Sequence, residues 1–313
     1  MVVDTAFLRR FTMKKIINAI LCTALAMSLF VGCSAETQIE NKKDDIIQWK
    51  NAVFKSLVYD EMEIEKETET KPIDFEDIKT LVIISDEKLI INPDLSKFDM
   101  ETLKENFDLE DFSKENFRMG HITNLDDLAN FINLEKLVIF ADDLENINFV
   151  SKLSNLNSLA IIGCDVSDIT PLIKCDNLEN LFLDANEIED ISVFNKFDKL
   201  PSKLSLYGNE IADISPLKSR NSQTTLEYLN LSGNEIEDIS ALSGYTQINT
   251  LLLISNEIED DSPVANLTDS TVILIDNPCF KGYSPEEIGQ AIGGFIGQFV
   301  SGIEKGFLDG YNK

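Results

Sequence analysis

LNLSGNEIEDISAL, residues 229–242, is the stretch on which the fold of this chain turns. It recurs as LSLYGNEIADISPL at 204–217, as LFLDANEIEDISVF at 181–194 and as LLLISNEIEDDSPV at 251–264. Outward from these copies, the apolar triplets are Leu137-Val-Ile139, Leu159-Ala-Ile161, Leu181-Phe-Leu183, Leu204-Ser-Leu206, Leu229-Asn-Leu231, Leu251-Leu-Leu253 and Val272-Ile-Leu274. They begin 22, 22, 23, 25, 22 and 21 residues apart. Five residues into each copy stand Asp142, Cys164, Asn186, Asn209, Asn234, Asn256 and Asn277. A fixed period of this length marks a stack of units, none of which can bury its apolar face alone.

The pattern Leu-x-x-Leu-x-Leu-x-x-Asn-x-Ile-x-Asp-Ile-Ser-Pro-Leu resembles the leucine-rich repeat family, in its 22-residue internalin-like class. The resemblance covers roughly residues 73–282 and is most regular between 134 and 277. It implies an α/β solenoid: a leucine-rich repeat horseshoe with short parallel strands on its concave face, an N-terminal helical cap and a C-terminal helix. Alternate strand residues point inward. Cys164, Asn186, Asn209, Asn234, Asn256 and Asn277 are expected to form a structural ladder satisfying backbone groups where the chain leaves the sheet. The Asp of each Asp-Ile-Ser step is expected to hold a short turn on the convex side.

Upstream the pattern degrades. Ile122-Thr-Asn-Leu125-Asp-Asp-Leu128 matches the tail of a repeat, with a weak strand expected around Phe117–Met119, and Leu81-Val-Ile83 reads as the first strand. The apolar residues Ile46, Ile47, Trp49, Val53, Phe54 and Val58 give a helical stripe. The segment 45–81 is therefore read as the N-terminal cap and 82–282 as the repeats. Residues 283–313 carry a second helical stripe, Ile288, Ile292, Phe295, Phe299, Ile303 and Phe307, accompanied by Gly289, Gly293, Gly297, Gly302, Gly306 and Gly310. Each Gly weakens a helix by about 1 kcal/mol relative to Ala, so this spacing suggests close approach to the backbone. The segment fits a cap docked on the last repeat, a face for self-association or membrane contact through 284–311, or disorder.

At the amino terminus, Lys14-Lys15, the apolar run Ile16–Val31 and Gly32-Cys33 describe an export signal over residues 1–32. Met13 offers an alternative start, with 1–12 an over-extended reading. Phe30-Val31-Gly32-Cys33 resembles a bacterial lipobox, in which Phe30 takes the place usually held by Leu. That resemblance implies cleavage before Cys33, a diacylglyceryl thioether on its sulfur, and residues 33–44 as a tether. Ordinary cleavage without lipid and an uncleaved anchor fit the same residues. A surface-anchored lipoprotein outside the bacterial cytoplasm is the expected localisation.

The chain has 313 residues, 27 Lys and Arg against 55 Asp and Glu, a net charge of −28 and a single His. Such a surface repels nucleic acid, which is bound through clustered Lys and Arg. No catalytic motif, metal motif or cofactor loop appears, so the chain is read as a binding protein with no catalytic residues, no metal and no cofactor. Cys164, Cys175 and Cys279 read as buried thiols, with a Cys164–Cys175 bridge as the alternative. Glu187, Glu210, Glu235 and Glu257 would stack about 5 Å apart, at a cost on the order of 0.8 kcal/mol per pair even in water. Solvated carboxylates, a basic partner and Ca²⁺ are the three readings of that ladder.

The strand residues that flank the inward Leu should face out of the solenoid. They include Val138, Phe140, Ile162, Phe182, Asp184, Tyr207, Tyr228, Leu252 and Ile254. A sheet face meeting only water should be mostly polar, and an apolar patch of this extent marks an interaction surface. The expectation is that these residues bind a protein partner. Two alternatives remain: a loop or the terminal helix covers them, or β-propensity alone selects them. The rival function is a structural, membrane-associating or self-assembling role carried by the Gly-rich terminal helix, with the repeats as scaffold.

Overall fold

A computed structural model describes residues 45–84, 88–93, 122–140, 144–175, 177–219 and 225–280. The leader and tether at 1–44, the strand expected at Phe117–Met119, Asp142 and the terminal segment 283–313 lie outside the described residues.

The expected solenoid is what the chain forms. One sheet of nine strands runs β2-β1-β3-β4-β5-β6-β7-β8-β9. The strands are β1 (Thr80–Ile84), β2 (Lys88–Ile91), β3 (Lys136–Phe140), β4 (Ser158–Ile162), β5 (Asn180–Phe182), β6 (Lys203–Ser205), β7 (Thr225–Asn230), β8 (Gln247–Leu252) and β9 (Thr271–Ile273). From β1 through β3 to β9 all pairs are parallel, with Leu81, Leu137, Leu159, Leu181, Leu204, Leu229, Leu251 and Val272 in one register row. That row and the row two residues on, Ile83 to Leu253, supply the interior together with the Ile and Leu of the return path. Parallel pairing requires a crossover between strands; here a single 3-10 turn per repeat supplies it.

β2 differs. It pairs antiparallel with β1 and closes the outer edge of the sheet, while β1 pairs directly with β3. Leu81 and Leu137 are thus neighbours in the stack despite their sequence separation.

The regular turns of the solenoid share the same three devices. The residue before each ladder position adopts a left-handed backbone: Gly163, Gly208 and Gly233 at φ 67–68°, and also Ala185, Ser255 and Asp276 at φ 54–61°. The Asn that follows then turns its side chain into the stack. Asn209 Nδ2 donates to the carbonyls of Leu183 and Leu206 (2.9 and 3.0 Å), and its Oδ1 accepts from Ile188 N at 3.1 Å. Asn234, Asn256 and Asn277 repeat this bond for bond. Finally Asp190, Asp213, Asp238 and Asp260 each accept from the backbone N–H and hydroxyl of the Ser two residues on, at 2.7–3.0 Å, opening the 3-10 turn. The N–H bond from Ser192, and then its hydroxyl, hold the Asp190 carboxyl below the usual carboxylate range; Ser262 does the same for Asp260.

The first end of the stack is closed by helix α1 (Ala52–Glu61), which Asn51 caps by accepting from the N–H of Val53 and Phe54, both at 3.0 Å. The helix begins later than the apolar stripe suggests. Ile46 and Val53 are exposed, whereas Ile47, Phe54, Val58 and Tyr59 join the core. Trp49 lies among Phe54, Tyr59 and Phe75, with ring centroids 5.8–6.2 Å apart, and Phe75 stacks on Phe131 at 5.0 Å.

Candidate binding face

Strand alternation sorts the residues pointing away from the core into three rows across the sheet. The middle row is Val82, Val138, Ala160, Phe182, Ser205, Asn230, Leu252 and Ile273. The row two residues earlier runs from Thr80 and Lys136 through Ser158, Asn180, Lys203 and Tyr228 to Thr250 and Thr271. The third starts with Ile84, Phe140 and Ile162 in the sheet and continues as Asp184, Tyr207, Ser232, Ile254 and Ile275. Those last five are tied together by Gly163 N to Asp184 O, Ala185 N to Tyr207 O, Gly208 N to Ser232 O, Gly233 N to Ile254 O and Ser255 N to Ile275 O. All nine expected partner-binding residues therefore share one face.

Their exposure corrects the reading of an open apolar patch. Val138, Phe140, Ile162, Phe182 and Asp184 are at most 1% exposed, and Tyr228 and Leu252 are 8% and 6%. Only Tyr207 and Ile254 of the nine are half-exposed. Alternation says which side of the sheet a side chain takes, but whether that side meets water depends on what else packs there.

Polar groups on this face are partly tied and partly stranded. Asp184 Oδ1 accepts from Tyr207 N at 3.0 Å, and Asn180 Nδ2 donates to Ser158 Oγ at 2.9 Å. Phe182 and Tyr228 lie with ring centroids 6.4 Å apart. In the middle row, Ser205 and Asn230 are paired in register and buried, and neither Ser205 Oγ nor Asn230 Nδ2 has a hydrogen-bond partner.

Elsewhere the described residues offer little chemistry. Cys164 and Cys175 are buried thiols with no disulfide, their Sγ atoms facing the carbonyls of Ile162 (3.8 Å) and Val150 (3.5 Å). Cys164 occupies a ladder position but supplies no amide. Asn186 donates to the carbonyls of Ile161 and Asp184, and its Oδ1 has no partner. Glu187, Glu210, Glu235 and Glu257 are all exposed. Among the described residues, no cluster of His, Cys, Asp or Glu could hold a metal, and no helix is long and apolar enough to cross a membrane. A shallow open groove on the convex side runs past Pro171, Ile173, Lys174 and Lys196.

Sequence reasoning missed Asp127. It is 2% exposed, and its carboxylate accepts from Lys50 N (2.9 and 3.0 Å) and Asn51 N (2.8 Å), tying the capping segment to the first repeat. The Asp-Asp pair before Leu128 was its only sequence signal. The adjacent Asp126 pairs with Lys50 at 3.0 Å and Lys152 at 3.4 Å. The Lys50 hydrogen bond is the main force holding its carboxyl below the usual range.

Comparison with known proteins agrees with this geometry. Residues 202–244 match the family described as Leucine Rich repeats (2 copies). Residues 202–244 are therefore leucine-rich repeats, and the described turns on either side of them are built on the same strand and 3-10 plan. Among solved structures, internalin C2 of Listeria monocytogenes is 23% identical over 72% of this chain and 92% of its own, with a TM-score of 0.49. Internalin F of the same organism is 23% identical over 72% and 82%, with a TM-score of 0.36. A plant ice-binding protein is 22% identical over 51% and 63%, with a TM-score of 0.38. The search of curated proteins found no match.

Proposed function

We infer that this chain is an exported bacterial surface protein, held to the membrane through a diacylglyceryl group on Cys33, that binds a protein partner on its concave face. The observation that carries the binding reading is the outward-facing middle and third rows. They place Val138, Phe140, Ala160, Ile162 and Phe182 side by side over three successive parallel strands, continued by Tyr207, Leu252 and Ile254. A sheet face that met only water would be mostly polar, so this face is built to be covered. Binding on such a frame is shape and apolar complementarity, with aromatics as anchors. The exposed Glu ladder beside the face would steer a basic partner. Tyr207 and Ile254, half-exposed at the rim, are where first contact falls.

The test is a Tyr207→Ala, Ile254→Ala double variant assayed against a partner captured by surface cross-linking. About tenfold or greater loss of affinity, equivalent to 1.4 kcal/mol, with an unchanged thermal midpoint supports the reading. Undiminished affinity overturns it. Anchoring is checked separately by intact mass from the native membrane fraction. A diacylglyceryl adduct on a chain beginning at Cys33, lost in Cys33→Ala, is expected; an unmodified chain rules the lipoprotein reading out.

A further inference from the structure

We propose that the convex groove over the 3-10 turns Asn148–Lys152, Thr170–Lys174 and Ser192–Lys196 is a docking site for an acidic segment of a partner protein. An apolar side chain of that segment rests on Ile173, and its carboxylates meet Lys174 and Lys196. The groove lies on the opposite side of the solenoid from the sheet. Among the described residues, five of the 3-10 turns are five residues long, so the repeat supplies its own control. At the fourth position of these turns stand Ala129, Ser151, Ile173, Asn195 and Ser243. Small or polar groups suit a position that points to water. Ile173 departs from them, and at 43% exposure it is the one exposed large apolar side chain of the described repeats. At the fifth position stand Asn130, Lys152, Lys174, Lys196 and Gly244. The lysines are thus gathered on the three successive turns where Ile173 surfaces.

In a chain with 55 acidic and 27 basic residues, most lysines should find a carboxylate. Lys152 has one, Asp126, at 3.4 Å. Lys174 and Lys196 are exposed and make no ion pair among the described residues. No residue lining the groove is acidic; Pro171, Val193 and Ser192 complete its floor beside Ile173. The carboxylates that open two of these turns are already engaged. Asp168 accepts from Thr170 N at 2.9 Å, and Asp190 from Ser192 N and Oγ at 2.7 and 3.0 Å. Two ammonium groups on neighbouring turns repel each other, and a carboxylate placed between them is attracted by both. The apolar floor then decides among anions. A polyphosphate has nothing to set on Ile173 and Pro171, whereas a peptide can hold an apolar side chain between carboxylates. The net charge of −28 opposes such a partner at long range. Salt screens that repulsion more than it screens the close contacts, so the pairing is local and short-ranged.

The test titrates the full-length protein into a fluorescein-labelled Glu-Glu-Leu-Glu-Glu peptide at about 0.15 M salt, where the screening length is ~8 Å, and reads anisotropy. Saturable binding is expected. The Lys174→Glu, Lys196→Glu double variant should weaken it by about tenfold or more. Ile173→Asn, which installs the residue that the next turn carries and so keeps the fold, should weaken it by roughly threefold. Lys66→Glu with Lys199→Glu makes the same change of charge outside the groove and should leave affinity within about twofold. An equal loss in that control shows that net charge alone governs binding and overturns the proposal. Three further results overturn it: a peptide with Ser in place of Leu binds as tightly, inorganic polyphosphate of equal charge competes as well as the peptide, or no binding occurs at millimolar peptide. Thermal midpoints verify that each variant is folded. The Tyr207→Ala, Ile254→Ala variant should bind this peptide as the unaltered protein does, so the groove and the concave face fail in different variants.

Discussion

Asn209 shows how much one side chain can carry. Its amide satisfies two buried carbonyls on successive turns and one buried N–H on the turn before. Asn209→Ala strands the Leu183 carbonyl and the Ile188 N–H, while Leu206 O keeps its bond from Asn234; at about 1–3 kcal/mol per orphaned group a total loss of at least ~2 kcal/mol is expected in urea unfolding. A loss under ~1 kcal/mol would mean that water replaces the amide. This position was legible in the sequence because Asn recurs there. The left-handed residue before it was harder to read. Gly163, Gly208 and Gly233 announce the requirement, but Ala185, Ser255 and Asp276 meet it without glycine. The gap at Cys164 also had no sequence signal beyond the departure from Asn, and nothing in the sequence marks the unpaired Oδ1 of Asn186.

Among elements, the strands and 3-10 turns follow from the repeat, since each copy presents an inward aliphatic pair and four in succession present the same Asp-x-Ser turn. The amino-terminal cap does not repeat, and its docking depends on Asp127 accepting from Lys50 N and Asn51 N. Asp127→Ala removes both acceptor oxygens at the joint. A cost of about 2–4 kcal/mol is expected, concentrated at the cap. Trp49, the one tryptophan of the chain, sits in the cap's aromatic cluster and reports it directly. In the variant, Trp49 emission should shift to the red at lower denaturant than the far-UV signal of the sheet is lost. Coincident transitions would show that cap and repeats unfold as one unit. The antiparallel β2 was not foreseen: with no repeat motif to place it, Lys88–Ile91 reads simply as a short apolar run.

At the scale of the whole molecule, a net charge of −28 and a line of exposed Glu residues set repulsion against the stack. Exposed pairs such as Lys50–Asp126 and Lys79–Glu135 are worth little against it. Raising salt from about 0.01 to 0.15 M shortens the screening length from ~30 to ~8 Å. The thermal midpoint should therefore rise, by roughly 2–4 °C for each kcal/mol relieved. A falling midpoint would show that the ion pairs outweigh the repulsion. The fate of the concave face also belongs to this scale, because no single strand decides whether a partner, solvent or the chain's own terminus meets it.

The amino-acid sequence by itself determined the period, the inward Leu rows, the Asn ladder and which residues share the outward face. All of these are local or repeat with the chain, so spacing alone specifies them. Only the tertiary structure decided that β1 sits directly beside β3, that Asp127 binds the cap to the first repeat, and that Phe140 and Phe182 are buried despite facing away from the core. Each of these depends on atoms far apart along the chain, and their meeting is set by the packing of the whole solenoid.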